Sequence, residues 1–113
     1  MKILVVDDDS KILGLVVRRL ANLGHQAKPV LWEGAWSLKD KQVKDCELVM
    51  SDIGLGLDDG VELATRIRRR FPDKLIMLMS ANPFNRSRAE AAGFNFTEKS
   101  DIGVKWPQRA RDR

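Results

Sequence analysis

The sequence predicts an α/β fold, doubly wound around a five-stranded parallel sheet, and three observations carry that expectation. Apolar strand-like runs alternate along the chain with segments of helical periodicity, which is the mark of successive βαβ units. The first run, Ile3 to Val6, is continuously apolar and β-branched-rich, as a strand buried on both faces requires. Acidic, hydroxyl and ammonium side chains fall just past the ends of several of these runs, where open parallel sheets place their ligands.

From Ser10 a helix follows the first strand. Leu13, Val16, Val17, Leu20 and Leu23 recur at helical spacing, and Gly24 stops it. Gln26 to Leu31 is a weaker second strand, and Pro29 marks it as an edge or an irregular one. Gly34 to Lys44 reads as a second helix, with Trp36 and Leu38 as its core contacts. Cys46 to Ser51 is the third strand, ending at Asp52. Gly54, Gly56, Asp58, Asp59 and Gly60 then make a loop.

Val61 to Arg70 is a third helix, turning Val61, Leu63, Ala64 and Ile67 inward, and Phe71-Pro72-Asp73 breaks it. Leu75 to Met79, the most apolar strand, ends at Ser80. Asn85 to Ala92 is a short fourth helix stopped by Gly93, and Phe94 to Thr97 is a fifth strand ending near Lys99. Only Ser100 to Arg113 remain, with Pro107 among them. Proline disfavours helix at its own position and at Trp106 before it, so a closing helix is short, displaced or absent.

The chain of 113 residues is one domain's worth. Apolar residues make up 43% and charged ones 32%, an ordinary globular balance. No apolar run approaches the roughly 18 residues of a membrane span. Met1 leads straight into strand-like sequence, which leaves no room for a signal peptide. The single cysteine, Cys46, excludes an internal disulfide and a cysteine-rich zinc site. It reads as a small buried hydrophobe in a protein of the reducing cytoplasm. The net charge is +4, with basic residues spread over Arg66, Arg68, Arg69 and Arg70 and over Lys105 to Arg113. No nucleic-acid motif accompanies them, so they read as a solvated helix face and a polar tail. Residues 1–104 form the domain, and 105–113 a basic tail or linker.

The stretch "KILVVDDDS" sets Asp7, Asp8 and Asp9 side by side after the first strand. Like charges at that range raise one another's pKa unless something positive sits among them. Asp7, Asp8, Asp52, Ser80 and Lys99 all fall at carboxyl ends of predicted strands. Three carboxylates with a hydroxyl and an ammonium suit an Mg²⁺-dependent phosphoryl site: the hard cation takes oxygen ligands, and the phosphoryl oxygens take positive charge. Asp9 reads as an N-terminal helix residue favoured by the helix dipole, and His25 as a solvated residue after a helix stop.

The motifs "ILVVDDD", "LVMSD" followed by "DDG" and "ELATRIR", "LIMLMSA" and "FNFTEK" span almost the whole chain in order. Together they resemble the response-regulator receiver domains of bacterial two-component signalling. The resemblance implies a flavodoxin/CheY-like sheet with strand order 2-1-3-4-5. It implies that Asp52 is the phosphoacceptor, a nucleophile toward a kinase phosphohistidine. Mg²⁺ (or Mn²⁺) would be held by Asp7, Asp8, Asp52 and the Gly54 carbonyl. Ser80 matches the switch hydroxyl, Lys99 the phosphoryl-pairing lysine and Phe96 the aromatic rotamer switch; Gly54 and Asn82 fall where side chains tune hydrolysis. The implied partners are a sensor histidine kinase or phosphotransfer protein, and a downstream protein target or an effector domain outside this chain. A homodimer through the C-terminal face is a further implied contact; membrane and nucleic acid are not expected partners.

The sequence also departs from the family. Ser100 stands where a proline, often cis, follows the lysine, which predicts a less well aimed Lys99. Gly56 stands where the family has proline, predicting a looser loop. Ser80 and Lys99 are 19 residues apart, a few short, which trims the fourth helix. A missing last helix would bare apolar sheet around Val30, Ile76 or Phe94, to be covered by a partner, a second copy or a tail containing Val104 and Trp106. Two other classes fit less of the pattern. One is a pseudo-receiver, an interaction module that does not switch. The other is a haloacid-dehalogenase-type phosphatase, using Asp7 as nucleophile and Asp9 as acid/base.

Overall fold

The computed structural model describes residues 1–34 and 38–104. In chain order the elements are β1 (Lys2–Asp7), α1 (Ser10–Asn22), β2 (Gln26–Leu31), α2 (Asp40–Lys44), β3 (Leu48–Asp52), β4 (Gly54–Leu55) and β5 (Asp58–Asp59). There follow α3 (Gly60–Arg70), β6 (Leu75–Ser80), α4 (Asn85–Ala91), β7 (Asn95–Glu98) and a 3₁₀ turn at Lys99–Asp101. The main sheet is wholly parallel, in the order β2-β1-β3-β6-β7. With the small antiparallel β4–β5 hairpin set apart, that is the predicted 2-1-3-4-5 order. Pro29 sits on β2, an edge strand, where its missing N–H costs no ladder bond on the open side.

The three central strands, β1, β3 and β6, alternate their apolar residues between two cores. Leu4, Val6, Val49, Ile76, Leu78 and Phe96 pack with Leu63, Ala64 and Ile67 of α3 and Ala89 of α4. Ile3, Val5, Met50 and Met79 face the other way, onto Leu13, Val16 and Leu20 of α1. Asp9 caps α1, its carboxylate accepting from the Lys11 and Ile12 N–H groups at 2.9 and 3.2 Å. The strand register sets the ligand edge: Val6 is level with Ser51, Asp52 with Met79, and Ser80 with Glu98.

The second helix is shorter than predicted. It begins at Asp40, where the Lys39 N–H donates to the Gln42 side chain at 2.8 Å and fixes the start. Leu38 is buried as expected, but ahead of the helix; Trp36 lies outside the described residues. Cys46 is buried as expected, but in the turn before β3, its Sγ 3.2 Å from the Val43 carbonyl. His25 is half-buried beside the N-terminal amine, with Nδ1 at 3.2 Å, instead of facing solvent.

The fourth helix is trimmed to seven residues, as its spacing predicts. Among the described residues no fifth α-helix follows β7, and the tail from Lys105, with Trp106 and Pro107, lies outside them. The expected bare patch is absent from its predicted place: Val30, Ile76 and Phe94 are all buried in one core cluster. On the opposite face Ile102, fully buried, joins the α1 core, and the Arg19 guanidinium lies 3.5 Å from its carbonyl. Ile102 thus covers part of that face, while Val104 stays exposed.

Candidate functional site

β1 and β3 run side by side in parallel, so their last residues come together. Asp7 ends β1, Asp52 ends β3, and Asp8 follows Asp7. One carboxylate oxygen from each of Asp7, Asp8 and Asp52 lies within 4.8 Å of the others. Lys99 enters from the 3₁₀ turn after β7. Its Nζ stands 3.0 Å from Asp7 Oδ2 and 3.1 Å from Asp52 Oδ2. Ser100 therefore does not misdirect it. The turn closes with the Ile102 N–H on the Lys99 carbonyl at 3.3 Å, and buried Ile102 anchors the segment where the family uses proline.

The charges shape one another. Burial, then the neighbouring Asp7 charge, raise the Asp52 pKa from 3.8 to about 6, and Lys99 offsets part of that. Burial disfavours the Lys99 ammonium, but its close contact with Asp7 and the charges of Asp52 and Asp7 outweigh it, so its pKa is raised. The Gly54 backbone beside the Asp52 carboxylate favours its charged form.

A divalent cation fits this donor set. Three carboxylates against one ammonium leave two negative charges when all are ionised, which such an ion neutralises. Asp7 Oδ2 is fully buried with no aligned hydrogen-bond donor, so beyond its ion pair with Lys99 it has a lone pair to give. An all-oxygen set with one exposed member, Asp8, suits a hard ion that keeps part of its water shell.

The loop after Asp52 is built, not loose. Gly56, with φ of 69°, turns the β4–β5 hairpin, a conformation that proline at this position could not adopt. The Trp32 Nε1–H donates to Asp58 Oδ2 at 2.8 Å. Asp59 caps α3, accepting from the Val61 N–H at 2.8 Å, and pairs with Arg88 of α4. Gly60 lies against the acceptor strand: a Cβ there would stand 2.0 Å from the Asp52 carbonyl oxygen.

The remaining predicted residues line the next strand ends. Ser80 closes β6, its Oγ accepting from the Asn82 N–H at 3.0 Å and from Asn85 Nδ2 at 2.8 Å. Asn82 in turn accepts from the Phe84 N–H at 3.0 Å through its side chain. Phe96 is buried in β7, with the Arg86 guanidinium 5.0 Å above its ring. So Asp7, Asp8, Asp52 and Lys99 converge with the Gly54 backbone, while Ser80, Asn82 and Phe96 stand beside them, bonded elsewhere. Asp9 stays out of the cluster as a helix cap. Sequence reading missed Trp32 and Asn85. A buried indole N–H beside an Asp-Asp-Gly turn is the signal for the first; Asn85, five residues past Ser80, reads only as a helix start.

A doubly wound parallel sheet with three aspartates and a lysine at its carboxyl edge defines an acidic-pocket α/β domain. The family model of the response regulator receiver domain matches residues 3–98, and the chain belongs to that family of two-component signalling proteins. It is 35% identical over 81 residues to the DNA-binding transcriptional regulator NtrC of Azospirillum brasilense. That match covers 70% of this chain and 16% of the regulator, so the chain spans about a sixth of that relative. Among solved structures, the response regulator TrrA of Thermotoga maritima, in complex with Mg²⁺ and BeF, superposes with a TM-score of 0.81 at 28% identity. It is covered over 96% of its chain and 98% of this one. RcsB of Salmonella typhimurium shares the fold, with a TM-score of 0.75 at 22% identity, over 95% of this chain and 56% of its own. No helix among the described residues is long and apolar enough to cross a membrane.

Proposed function

We propose that this domain is a phosphoacceptor switch of the cytoplasm, receiving a phosphoryl group on Asp52. The observation that carries the reading is Lys99, whose ammonium bridges Asp7 and Asp52 at 3.0 and 3.1 Å beside a three-carboxylate cluster. Asp52 Oδ attacks phosphorus, the P–N bond of a kinase or phosphotransfer phosphohistidine breaks, and the imidazole leaves with that electron pair. The product is an acyl phosphate, which water later cleaves to restore the carboxylate. The domain is thus consumed and regenerated, and does not turn over a small substrate.

Asp7, Asp8, Asp52 and the Gly54 carbonyl would hold Mg²⁺ (or Mn²⁺), which would supply positive charge to the transferring oxygens. Lys99 supplies the second positive charge, exchanging a carboxylate for a phosphoryl oxygen as its partner. Ser80 offers its hydroxyl to another phosphoryl oxygen, Phe96 answers that movement, and Gly54 and Asn82 flank the path of the hydrolytic water. Asp52 rather than Asp7 is the nucleophile: Asp7 is 0% exposed beneath Lys99, whereas the Asp52 side chain keeps 11% of its surface. A phosphatase reading centred on Asp7 lacks that access.

The output is a change in protein contacts, with a downstream target or an attached effector as partner. The test is intact mass after incubation with Mg²⁺ and acetyl phosphate or phosphoramidate. A gain of about 80 Da, absent in Asp52→Ala and with EDTA, is expected. A folded protein that gains nothing overturns the reading in favour of a non-switching interaction module.

A further inference from the structure

The hydroxyl of Ser80 holds together the segment that joins β6 to α4. Ser80 is buried, and its Oγ accepts two hydrogen bonds, one from the Asn82 backbone at 3.0 Å and one from the Asn85 amide at 2.8 Å. A hydroxyl has two acceptor lone pairs and one proton, so both lone pairs are committed and only the proton is free. The Asn82 side chain accepts from the Phe84 N–H at 3.0 Å, which extends the same chain of bonds to the start of the helix. Phe84 itself is 86% exposed, a large apolar side chain carried on this turn. α4 has no side-chain cap at its start, so Asn85 is fastened inward, to β6, rather than to its own helix.

We infer that Asn85 is a positioning residue that latches the Ser80 hydroxyl in the unphosphorylated domain, and that phosphorylation of Asp52 breaks this latch and frees the turn bearing Phe84. The inference rests on the phosphoacceptor reading above. Rotation of Ser80 toward a phosphoryl oxygen requires its Oγ to leave the Asn85 amide and the Asn82 N–H. Asn82 is exposed and Asn85 half-exposed, so water replaces the lost acceptor at both. The Asn85 bond therefore opposes the switch by the modest net worth of a single hydrogen bond exchanged for one to water, and its opening releases the aromatic turn.

Two measurements on the whole chain test it. The first is a double-mutant cycle read by amide hydrogen exchange across residues 81–92 in the unmodified protein. Asn85→Ala and Ser80→Ala are each expected to speed exchange there, and the double variant to match the single ones. Additive effects would show that Asn85 acts on the helix alone, and overturn the latch.

The second is the affinity for beryllofluoride with Mg²⁺, a stable phosphoryl mimic. Asn85→Ala is expected to bind it about three- to tenfold more tightly, and to lose that gain when Ser80 is alanine. An unchanged or weaker Asn85→Ala constant, with the wild type binding normally, overturns the release step alone. A wild type that takes neither beryllofluoride nor a phosphoryl adduct overturns the release step together with the phosphoacceptor reading, and the exchange cycle still decides whether Asn85 holds Ser80.

Discussion

At the ends of β1 and β3 the polar groups are buried charges that face one another: the Lys99 ammonium lies within 3.1 Å of both Asp7 and Asp52, across a gap that Asp8 borders. At the end of β6, two strands from β1, Ser80, Asn82 and Asn85 are joined by neutral hydrogen bonds, and the turn beyond Ser80 lies in reach of water. Neutral bonds beside solvent exchange partners at small cost, whereas buried charges do not. The first region is built to hold a geometry and the second to change one. A domain that must position a reaction and report it needs both kinds of edge, and the parallel sheet places them side by side.

The largest break in that comparison comes from Gly60. Its Cα packs on the acceptor strand so closely that an alanine Cβ would meet the Asp52 carbonyl oxygen at 2.0 Å. Neither partner is a flexible side-chain end, so Gly60→Ala must displace the strand that aims Asp52. A loss of about 3 kcal/mol in urea unfolding is expected, together with loss of the phosphoryl adduct. A variant of normal stability would mean that the charged edge yields as readily as the polar one.

Lys99→Ala comes next. It leaves Asp7 Oδ2, already without an aligned donor, with no cation beside it in the metal-free protein. A destabilisation of about 2 kcal/mol without Mg²⁺ is expected, recovered in large part when Mg²⁺ is added. Thermal melts with and without EDTA read both arms. Equal loss in the two conditions would show that Lys99 serves packing more than charge.

Most of the fixed edge was readable in the sequence. Strand ends are marked by where apolar runs stop, and parallel order then brings Asp7, Asp52 and Lys99 to one side. The turn after Lys99 was not readable, because Ile102 replaces the expected proline with an anchor that acts across the fold on the α1 core. The start of α2 was misjudged for a related reason: Leu38 is buried from an extended approach, and burial alone does not tell helix from loop. The responsive edge was hidden further, since Asn85 gains its meaning only from the turn that folds it back on Ser80. The loop at Gly56 was misjudged because lack of proline suggests freedom, while a positive φ builds a hairpin.

Asp52→Asn sharpens the comparison in the opposite sense, because it should stabilise the metal-free fold. An acid whose pKa is raised on folding, here from 3.8 to about 6, binds its proton more tightly in the native state. The native state therefore loses stability as pH rises from about 4 to 6, and the penalty is constant above that window. Asn carries no such penalty. Its advantage is expected to be absent below pH 4, to grow through the window and to level off above it, reaching on the order of a few degrees in Tm without Mg²⁺. With Mg²⁺ the order should reverse, since the ion rewards the charged form. A variant less stable than wild type at neutral pH without metal would mean that the Lys99–Asp52 pair outweighs burial and the repulsion from Asp7.

The smallest effect should come from Arg88→Ala, and its smallness is informative. Arg88 ties α4 to Asp59, and both side chains are substantially exposed, at 50% and 35%. Asp59 keeps its task without Arg88, because its Oδ1 still accepts the Val61 N–H and caps α3. An exposed pair of this kind contributes less than about 0.5 kcal/mol and fades with salt. If the variant costs no more than that, and beryllofluoride affinity stays within about twofold, then α4 is held to the sheet chiefly through Ser80 and its core residue Ala89. If it costs well above 1 kcal/mol at low salt and nothing at high salt, charge fastens the responsive edge too. The contrast between a charged edge that holds and a neutral one that moves would then fail at α4, and the ion pair, rather than the serine, would be the contact that phosphorylation has to overcome.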